Sequence, residues 1–114
     1  MKKKPIKIIK NYKGNLIKFY NFKEEFLKNY SEIYFSIVKK KYFKGWKYHE
    51  NRNQVMTIGS GNVTFSIKKK IDGKEKKIKM SFPNNIYLLK IPKKTYYSFK
   101  CTSKNDGLII NIID

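Results

Sequence analysis

Several residue types are scarce in this sequence, and each scarcity excludes a class of protein. Cys101 is the single cysteine, so no internal disulfide can form and a reducing, cytoplasmic compartment is favoured. Lysines interrupt the apolar residues near the N terminus, so no signal peptide is predicted, and no stretch approaches the roughly 18 apolar residues of a membrane span. The 114 residues are therefore predicted to form one domain, residues 1–114, without a membrane partner.

Acidic residues are also few. Eight Asp and Glu stand against 27 Lys and Arg, which gives a formal net charge of +19 and ordinarily indicates a nucleic-acid or anionic-membrane partner. Yet Arg52 is the only arginine and alanine is absent, whereas Lys, Asn, Ile, Tyr and Phe, with their A- and T-rich codons, are abundant. Because the arginine fork suits phosphate best, we interpret the charge mainly as compositional drift that aids solubility. It still attracts any anionic ligand.

Hydrophobic periodicity predicts an almost entirely β structure. One short helix is predicted between residues 22 and 30, where Phe22, Phe26 and Leu27 recur at helical spacing. Turn residues recur about every 8 to 12 positions, which is typical of a β-sandwich or barrel, so we predict one antiparallel jelly-roll barrel. The predicted strands are 6–9, 16–20, 32–38, 43–49, 54–58, 62–68, 77–82, 86–91, 95–100 and 108–113.

Two segments share the frame of the cupin motifs. The first cupin motif has a His-x-His pair followed by Glu or Gln and then Gly, and His49, Gln54 and Gly61 hold that spacing here. The second motif has Pro-x-Gly-x-x-His, and segment 92–97 (Pro-Lys-Lys-Thr-Tyr-Tyr) holds its frame. Because alternate side chains of a barrel strand point inward, Lys47 and His49 are expected to reach the same cavity, and Gly61 is expected to form a turn.

Nearly the whole chain resembles the dTDP-4-dehydrorhamnose 3,5-epimerase-like family of sugar-nucleotide enzymes. The resemblance rests on the order and spacing of short segments: Ile8-Ile9, Gly14-Asn15, 32–36 (Glu-Ile-Tyr-Phe-Ser), 44–49 (Lys-Gly-Trp-Lys-Tyr-His), Gly61, Ile91-Pro92 and the apolar strand 108–113. It implies an all-β cupin domain (a double-stranded β-helix). The implied function is an epimerase or isomerase acting on a dTDP-linked 4-keto-6-deoxy sugar in cell-surface polysaccharide biosynthesis.

The resemblance also implies the chemistry of the site. The places that hold metal ligands in metal-binding cupins are here Lys47, His49, Gln54 and Tyr97. One imidazole offers too few strong donors for a transition metal, so neither a metal nor a cofactor is expected. The enzymes that the chain resembles remove a proton next to a ketone and return it from the opposite face, which requires a base and an acid.

Six residues are candidates for this site. The catalytic candidates are Lys47, His49 and Tyr97, and the substrate-binding candidates are Lys44, Arg52 and Gln54. Lys47 matches the histidine base of the family, so it is either a base whose neutral form is favoured by burial or a ligand of the diphosphate, as Lys44 is expected to be. His49 is the next candidate for the base.

The tyrosine acid of the family lies beyond the strand that matches 108–113. The sequence ends at Asp114. Either Tyr97 or Tyr34 supplies the acid, or the complete epimerase mechanism is absent. Tyr97 is alternatively a packing aromatic, and Trp46, of opposite parity to Lys47, is expected to pack outside the cavity.

Two other functions stay open. One is a cupin that binds a nucleotide sugar without catalysis. The other, which is less favoured, is a basic barrel that binds single-stranded nucleic acid; it requires aromatics exposed between lysines on one sheet face, whereas Phe35, Phe65 and Phe99 are expected in the core. A homodimer is also predicted, because a barrel of this size has sheet edges to cover.

Overall fold

The computed structural model describes residues 2–19 and 32–114, and over these ranges the chain forms eleven strands and no helix. The predicted helix at 22–30 lies outside the described residues. Nothing in the two ranges is a helix with the length and apolar character needed to span a membrane. The strands are β1 Lys2–Pro5, β2 Lys7–Ile9, β3 Leu16–Lys18, β4 Glu32–Val38, β5 Phe43–Tyr48, β6 Gln54–Ser60, β7 Asn62–Lys68, β8 Lys76–Ser81, β9 Tyr87–Ile91, β10 Tyr96–Cys101 and β11 Gly107–Ile113.

Two antiparallel sheets pack face to face. The five-stranded sheet has the order β1-β9-β6-β11-β4, the four-stranded sheet has the order β5-β10-β7-β8, and β2 pairs with β3 in a separate hairpin. Alternate side chains of the two sheets meet in one core, with Ile58 and Ile109 from the first sheet against Phe65 and Phe99 from the second. The predicted all-β jelly-roll architecture is therefore confirmed.

The strand at the start of the chain was not predicted. Three lysines and a proline argue against a strand in residues 2–5, yet β1 pairs with β9 along its whole length. Because β1 is the outermost strand of its sheet, one side of its backbone faces away from the ladder, and such edge positions tolerate proline.

Strand β4 lies at the opposite edge of the same sheet and has an apolar outer face. Ile33, Phe35 and Ile37 are exposed by 53, 70 and 60% respectively. The prediction that Phe35 lies in the core is wrong, because side chains alternate along a strand and Val38 takes the inner face. Phe65 and Phe99 are buried as predicted.

A β-bulge in β5 decides which of its side chains point inward. Lys47 lies opposite Tyr97 of β10, and Lys44 lies opposite Phe99, so four residues of β5 span three residues of β10. The extra residue brings Lys44 and Lys47 to the same, inner face of the strand. Trp46 between them points to the outer face, as its parity predicted.

Two glycines are required by close approaches of the backbone. Gly45 in the β5 bulge has a φ of 139°, and a Cβ atom there would lie 2.4 Å from the Cβ of Ser98. Gly61 has a φ of 74° at the predicted turn between β6 and β7, where a Cβ would lie 2.9 Å from the Asp106 carbonyl oxygen. A side chain at either position would be strained and would displace its neighbours.

Candidate functional site

A cavity of about 420 Å³ opens between the two sheets and is bordered by most of the candidate site residues. Among the six candidates, Lys47, His49, Arg52, Gln54 and Tyr97 border it. Its remaining wall is formed by Tyr34, Phe35, Ser36, Met56, Phe99, Ile109, Asn111 and Ile113. The mixture of a few polar groups with an apolar lining is typical of small-molecule sites.

His49 directly follows the last residue of β5 and lies two residues after Lys47, and both side chains border the cavity, as strand alternation predicted. Burial lowers the pKa of the His49 imidazole below its usual value of 6.5, and the positive charges of Arg52 and Lys47 lower it further. The imidazole is therefore neutral at physiological pH. A neutral imidazole has one nitrogen that can accept a proton.

A hydrogen-bonded chain of polar side chains crosses the floor of the cavity. The Tyr97 hydroxyl lies 3.2 Å from His49 Nε2 and donates to Gln54 Oε1, also at 3.2 Å. Gln54 is 1% exposed, and its Oε1 also accepts a bond of 2.9 Å from Asn111 Nδ2. Three strands, β6, β10 and β11, thus fix the orientation of these groups relative to His49.

The number of protons in this chain fixes the tautomer of His49. Tyr97 has one hydroxyl proton, and burial raises the pKa of this phenol, so the proton stays in place near neutral pH. When the hydroxyl donates to Gln54, its oxygen can only accept from His49 Nε2–H. The other ring nitrogen, Nδ1, then carries the lone pair and is the basic atom of the site.

The exposure of the Lys47 side chain differs from what was predicted. The prediction that it could act as a base relied on burial, but the Lys47 side chain is exposed. Its ammonium lies 5.7 Å from the centre of the Phe99 ring at the mouth of the cavity. This position suits a cation that meets an anionic substrate at the entrance.

Arg52 is held in place by two acceptors. Its Nε–H donates to the Asp114 carbonyl at 2.8 Å, and its Nη2 lies 3.7 Å from Glu32 Oε1. Asp114 is fixed in turn by the backbone and side chain of Asn53, at 2.8 and 3.0 Å. The guanidinium therefore borders the cavity in a defined orientation.

Tyr34 and Lys44 complete the surroundings of the cavity. Tyr34 lies on β4, across the cavity from His49 and Tyr97, and a hydrogen bond from its hydroxyl to Glu32 raises the pKa of the phenol. Lys44 does not border the cavity; its ammonium donates to the Ile37 carbonyl at 2.8 Å and lies 3.4 Å from Ser36 Oγ. Lys44 therefore links β5 to β4, so its binding to a diphosphate stays a prediction.

Comparison with solved structures shows which known proteins share this fold. A dTDP sugar isomerase from Desulfovibrio desulfuricans G20 superposes with a TM-score of 0.90 over 99% of this chain and 75% of its own, at 23% identity. The dTDP-4-dehydrorhamnose 3,5-epimerase of Bacillus anthracis, with TDP and pyrophosphate bound, gives 0.80 over 96% and 69%, at 13% identity. This chain has the cupin fold of the dTDP-sugar enzymes.

A third similar structure has a nucleotide sugar bound. The 3,4-ketoisomerase of Thermoanaerobacterium thermosaccharolyticum, solved as a histidine-to-asparagine mutant with TDP-4-keto-6-deoxyglucose, superposes with a TM-score of 0.77. The match covers 97% of this chain and 78% of that one, at 20% identity. No protein-family model matches the sequence, and no curated protein matches it either.

Of the four places that hold metal ligands in metal-binding cupins, three hold groups that form hydrogen bonds with one another in this chain. His49, Tyr97 and Gln54 form a hydrogen-bonded chain, and Lys47 lies exposed at the mouth. Within residues 2–19 and 32–114, no three His, Cys, Asp or Glu side chains are grouped so that they could hold a metal ion. The donor set suits proton transfer and anion binding.

Sequence reasoning missed Asn111. It is a polar residue within the apolar strand β11, on the same face as Ile109 and Ile113. That parity was the available signal, since a lone amide on an inward face needs partners. Its Nδ2 bonds to Gln54, but its buried Oδ1 has no hydrogen-bond partner among the residues that the structure describes.

Proposed function

We propose that this cupin is a metal-independent isomerase or epimerase of a dTDP-linked 4-keto-6-deoxy sugar in cell-surface polysaccharide biosynthesis. The observation that supports it best is the neutral His49, held 3.2 Å from the protonated Tyr97 in a cavity between the sheets. The folds of dTDP-sugar epimerases and isomerases provide independent support. The dTDP group, the particular sugar and the pathway belong to the proposal.

The first step is the removal of a proton from the carbon next to the keto carbon. We assign the base to His49 rather than to Lys47, because the imidazole is neutral and oriented, whereas Lys47 is exposed. The carbon–hydrogen electron pair moves toward the keto oxygen and forms an enolate. The cations Lys47 and Arg52, which border the cavity, make it favourable for the developing negative charge.

The second step returns a proton to the enolate. In 3,4-isomerisation the C3 hydroxyl proton moves to the former keto oxygen, a proton is delivered to C4, and C3 becomes the ketone; His49 with Tyr97 on one wall is sufficient for this. In epimerisation it returns to the opposite face, and Tyr34 lies on the opposite wall with a phenol that stays protonated. Tyr97 is thus the proposed donor for the first reaction and Tyr34 for the second.

Binding of the substrate's diphosphate requires positively charged side chains, placed away from the sugar carbons that react. Lys47 and Arg52 border the cavity, and Lys44 lies beside Ser36 at its edge. Charge-assisted hydrogen bonds from such groups are the strongest that a phosphate makes with protein. We propose that these three residues bind the diphosphate and that Gln54 and Asn111 contact the sugar.

Solvent exchange tests the chemistry directly. The protein is incubated in D₂O with dTDP-4-keto-6-deoxyglucose, and NMR follows deuterium at C3, C4 and C5 together with any new sugar. Deuterium at C4 of a new 3-keto sugar indicates isomerisation, and exchange at C3 and C5 with inverted products indicates epimerisation. The His49→Gln variant is expected to lose exchange, while Lys47→Gln is expected to keep exchange at saturating substrate with a raised KM.

The same experiment separates the second candidate function. A cupin that binds a nucleotide sugar without catalysis would bind dTDP in calorimetry and show no exchange in the wild type. Lys47 at the place of the family's histidine base is the observation that favours this alternative. Exchange that is lost in Lys47→Gln at saturating substrate and kept in His49→Gln would show that the assigned base is wrong.

A further inference from the structure

A second cavity of about 400 Å³ lies on the outer face of the four-stranded sheet, away from the proposed active site. We call it the outer groove and define it by Phe43, Trp46, Ser98, Lys77, Lys79 and Lys100. The aromatics come from β5 at one edge of the sheet, and Lys77 and Lys79 come from β8 at the other. Three strand spacings of about 4.8 Å separate these edges.

The groove is strongly basic. Lys77, Lys79 and Lys100 border it against a single acid, Glu75. No ion pair neutralises these three lysines within residues 2–19 and 32–114. Lys68 of the neighbouring strand β7 adds a fourth charge, with its ammonium 4.2 Å from the centre of the Trp46 ring.

The aromatic wall is accessible. Phe43 is exposed by 50% and Trp46 by 37%. Tyr48 continues the same face of β5 and packs edge-on against Tyr96, with ring centres 4.6 Å apart. These rings lie on the solvent side of the sheet because the β5 bulge directs Lys44 and Lys47 to its inner face instead.

The floor of the groove contains a hydroxyl group without a hydrogen-bond partner among the described residues. Ser98 is fully buried on the outer side of β10, and its hydroxyl has no hydrogen-bond partner among the described residues. A hydroxyl in that position normally finds a partner. The bare Cα of Gly45 lies alongside Ser98, where a Cβ would come within 2.4 Å of its side chain.

We propose that the outer groove binds single-stranded nucleic acid, with bases stacked on the aromatic wall and phosphates on the lysines. A barrel that binds single-stranded nucleic acid requires aromatics exposed between lysines on one sheet face, and the outer face of the four-stranded sheet has them. Stacking on aromatics with phosphate contacts from lysine is how sequence-tolerant single-strand sites work. The groove is separate from the cavity, so this binding does not depend on the proposed isomerase function.

Fluorescence anisotropy with labelled oligothymidylate and oligouridylate tests the proposal. Trp46→Ala is expected to weaken binding about tenfold, as for one lost stacking contact. The Lys77→Gln/Lys79→Gln double variant is expected to reduce the slope of log affinity against log salt by about 1.4, since each single-strand phosphate contact contributes about 0.7. Oligonucleotide duplex, which hides its base faces, is expected to bind more weakly than either single strand.

A matched variant separates the groove from the overall charge. Lys10→Gln/Lys13→Gln removes the same two charges from the β2–β3 hairpin, where both lysines are exposed, and is expected to leave the salt slope unchanged. An equal loss in this control would overturn the proposal, as would wild-type affinity in a folded Trp46→Ala protein. Heparin that binds as tightly as the oligonucleotide and is indifferent to Trp46 would assign the groove to acidic polysaccharide instead.

A competition experiment separates the two sites. Saturating dTDP at constant ionic strength is expected to leave oligonucleotide binding unchanged, because the groove and the cavity lie on opposite faces of one sheet. Displacement by dTDP would place the oligonucleotide in the cavity and refute the assignment. An inactive isomerase with intact oligonucleotide binding would refute only the proposed function.

Discussion

Removing the Tyr97 hydroxyl tests the polar chain on which the site depends. The Tyr97→Phe substitution deletes one bond to His49 Nε2 and one to Gln54 Oε1, each 3.2 Å long. At that length both bonds are weaker than the mean, and an ordinary hydrogen bond contributes about 1 kcal/mol to stability. Gln54 Oε1 keeps its 2.9 Å bond from Asn111, so no buried acceptor is orphaned.

The expected loss in the free energy of unfolding is therefore about 1–2 kcal/mol, without the further penalty of about 1–3 kcal/mol for an unpaired buried group. Urea denaturation measures it, and the melting temperature is expected to fall by about 4 °C per kcal/mol. Tyr96→Phe is the matched control: it makes the same chemical change one residue earlier, on the outer face, where the hydroxyl bonds to no described residue.

Two results would refute this reasoning. If Tyr97→Phe and Tyr96→Phe lose the same stability, the hydroxyl chain contributes nothing to the fold. If Tyr97→Phe loses well above 3 kcal/mol, Gln54 has been left unpaired and the bond from Asn111 is not formed as described. The expected result also predicts a slower isomerase at an unchanged KM, since Tyr97 acts on the proton and not on the diphosphate.

Three further predictions follow from burial and charge. NMR titration of His49, the sole histidine, is expected to give a pKa below 6.5. Because the unfolded chain takes up this proton at a higher pH than the folded chain, the free energy of unfolding is retained above about pH 6.5 and falls as the pH drops below it. A His49 pKa above 6.5 would contradict the described site. In urea denaturation, Gly45→Ala is expected to lower the free energy of unfolding by about 1–3 kcal/mol more than Gly14→Ala, since both glycines have φ near 139° but only a Cβ at Gly45 would clash, with Ser98. Equal losses would mean that Ser98 moves aside without cost. Sedimentation is expected to show a homodimer that Phe35→Lys dissociates and Ile71→Lys, equally exposed at 70%, does not; a wild-type monomer would refute it.

The fold was largely predictable because the sequence alternates so regularly. The limits of β4 and β7 were predicted at both ends, since period-2 patterns bounded by turn residues leave little freedom. β1 was missed because its residues are lysine and proline, and its pairing with β9 depends on the whole sheet rather than on local propensity. Phe35 was misplaced because an apolar residue on an edge strand has the same local pattern facing either way.

The place of most candidate residues in the fold was predictable, whereas their exposure and their hydrogen-bond partners were less so. Alternation alone brought Lys47 and His49 to one cavity, but the exposure of Lys47 depends on how widely the mouth opens, which no local pattern records. The partners of Gln54 come from β10 and β11, far along the chain. Such contacts arise only when strands distant in sequence pair in a particular register.

The β5 bulge couples the cavity and the outer groove through one short segment of sequence. Residues 44–47 supply side chains to both faces of one sheet, with Lys47 in the cavity and Trp46 in the outer groove. An insertion or deletion of one residue there would exchange the two faces, placing the indole inside and the ammonium outside. Evolution can therefore change either surface only by substitution, and a length change in this strand should be absent from functional relatives.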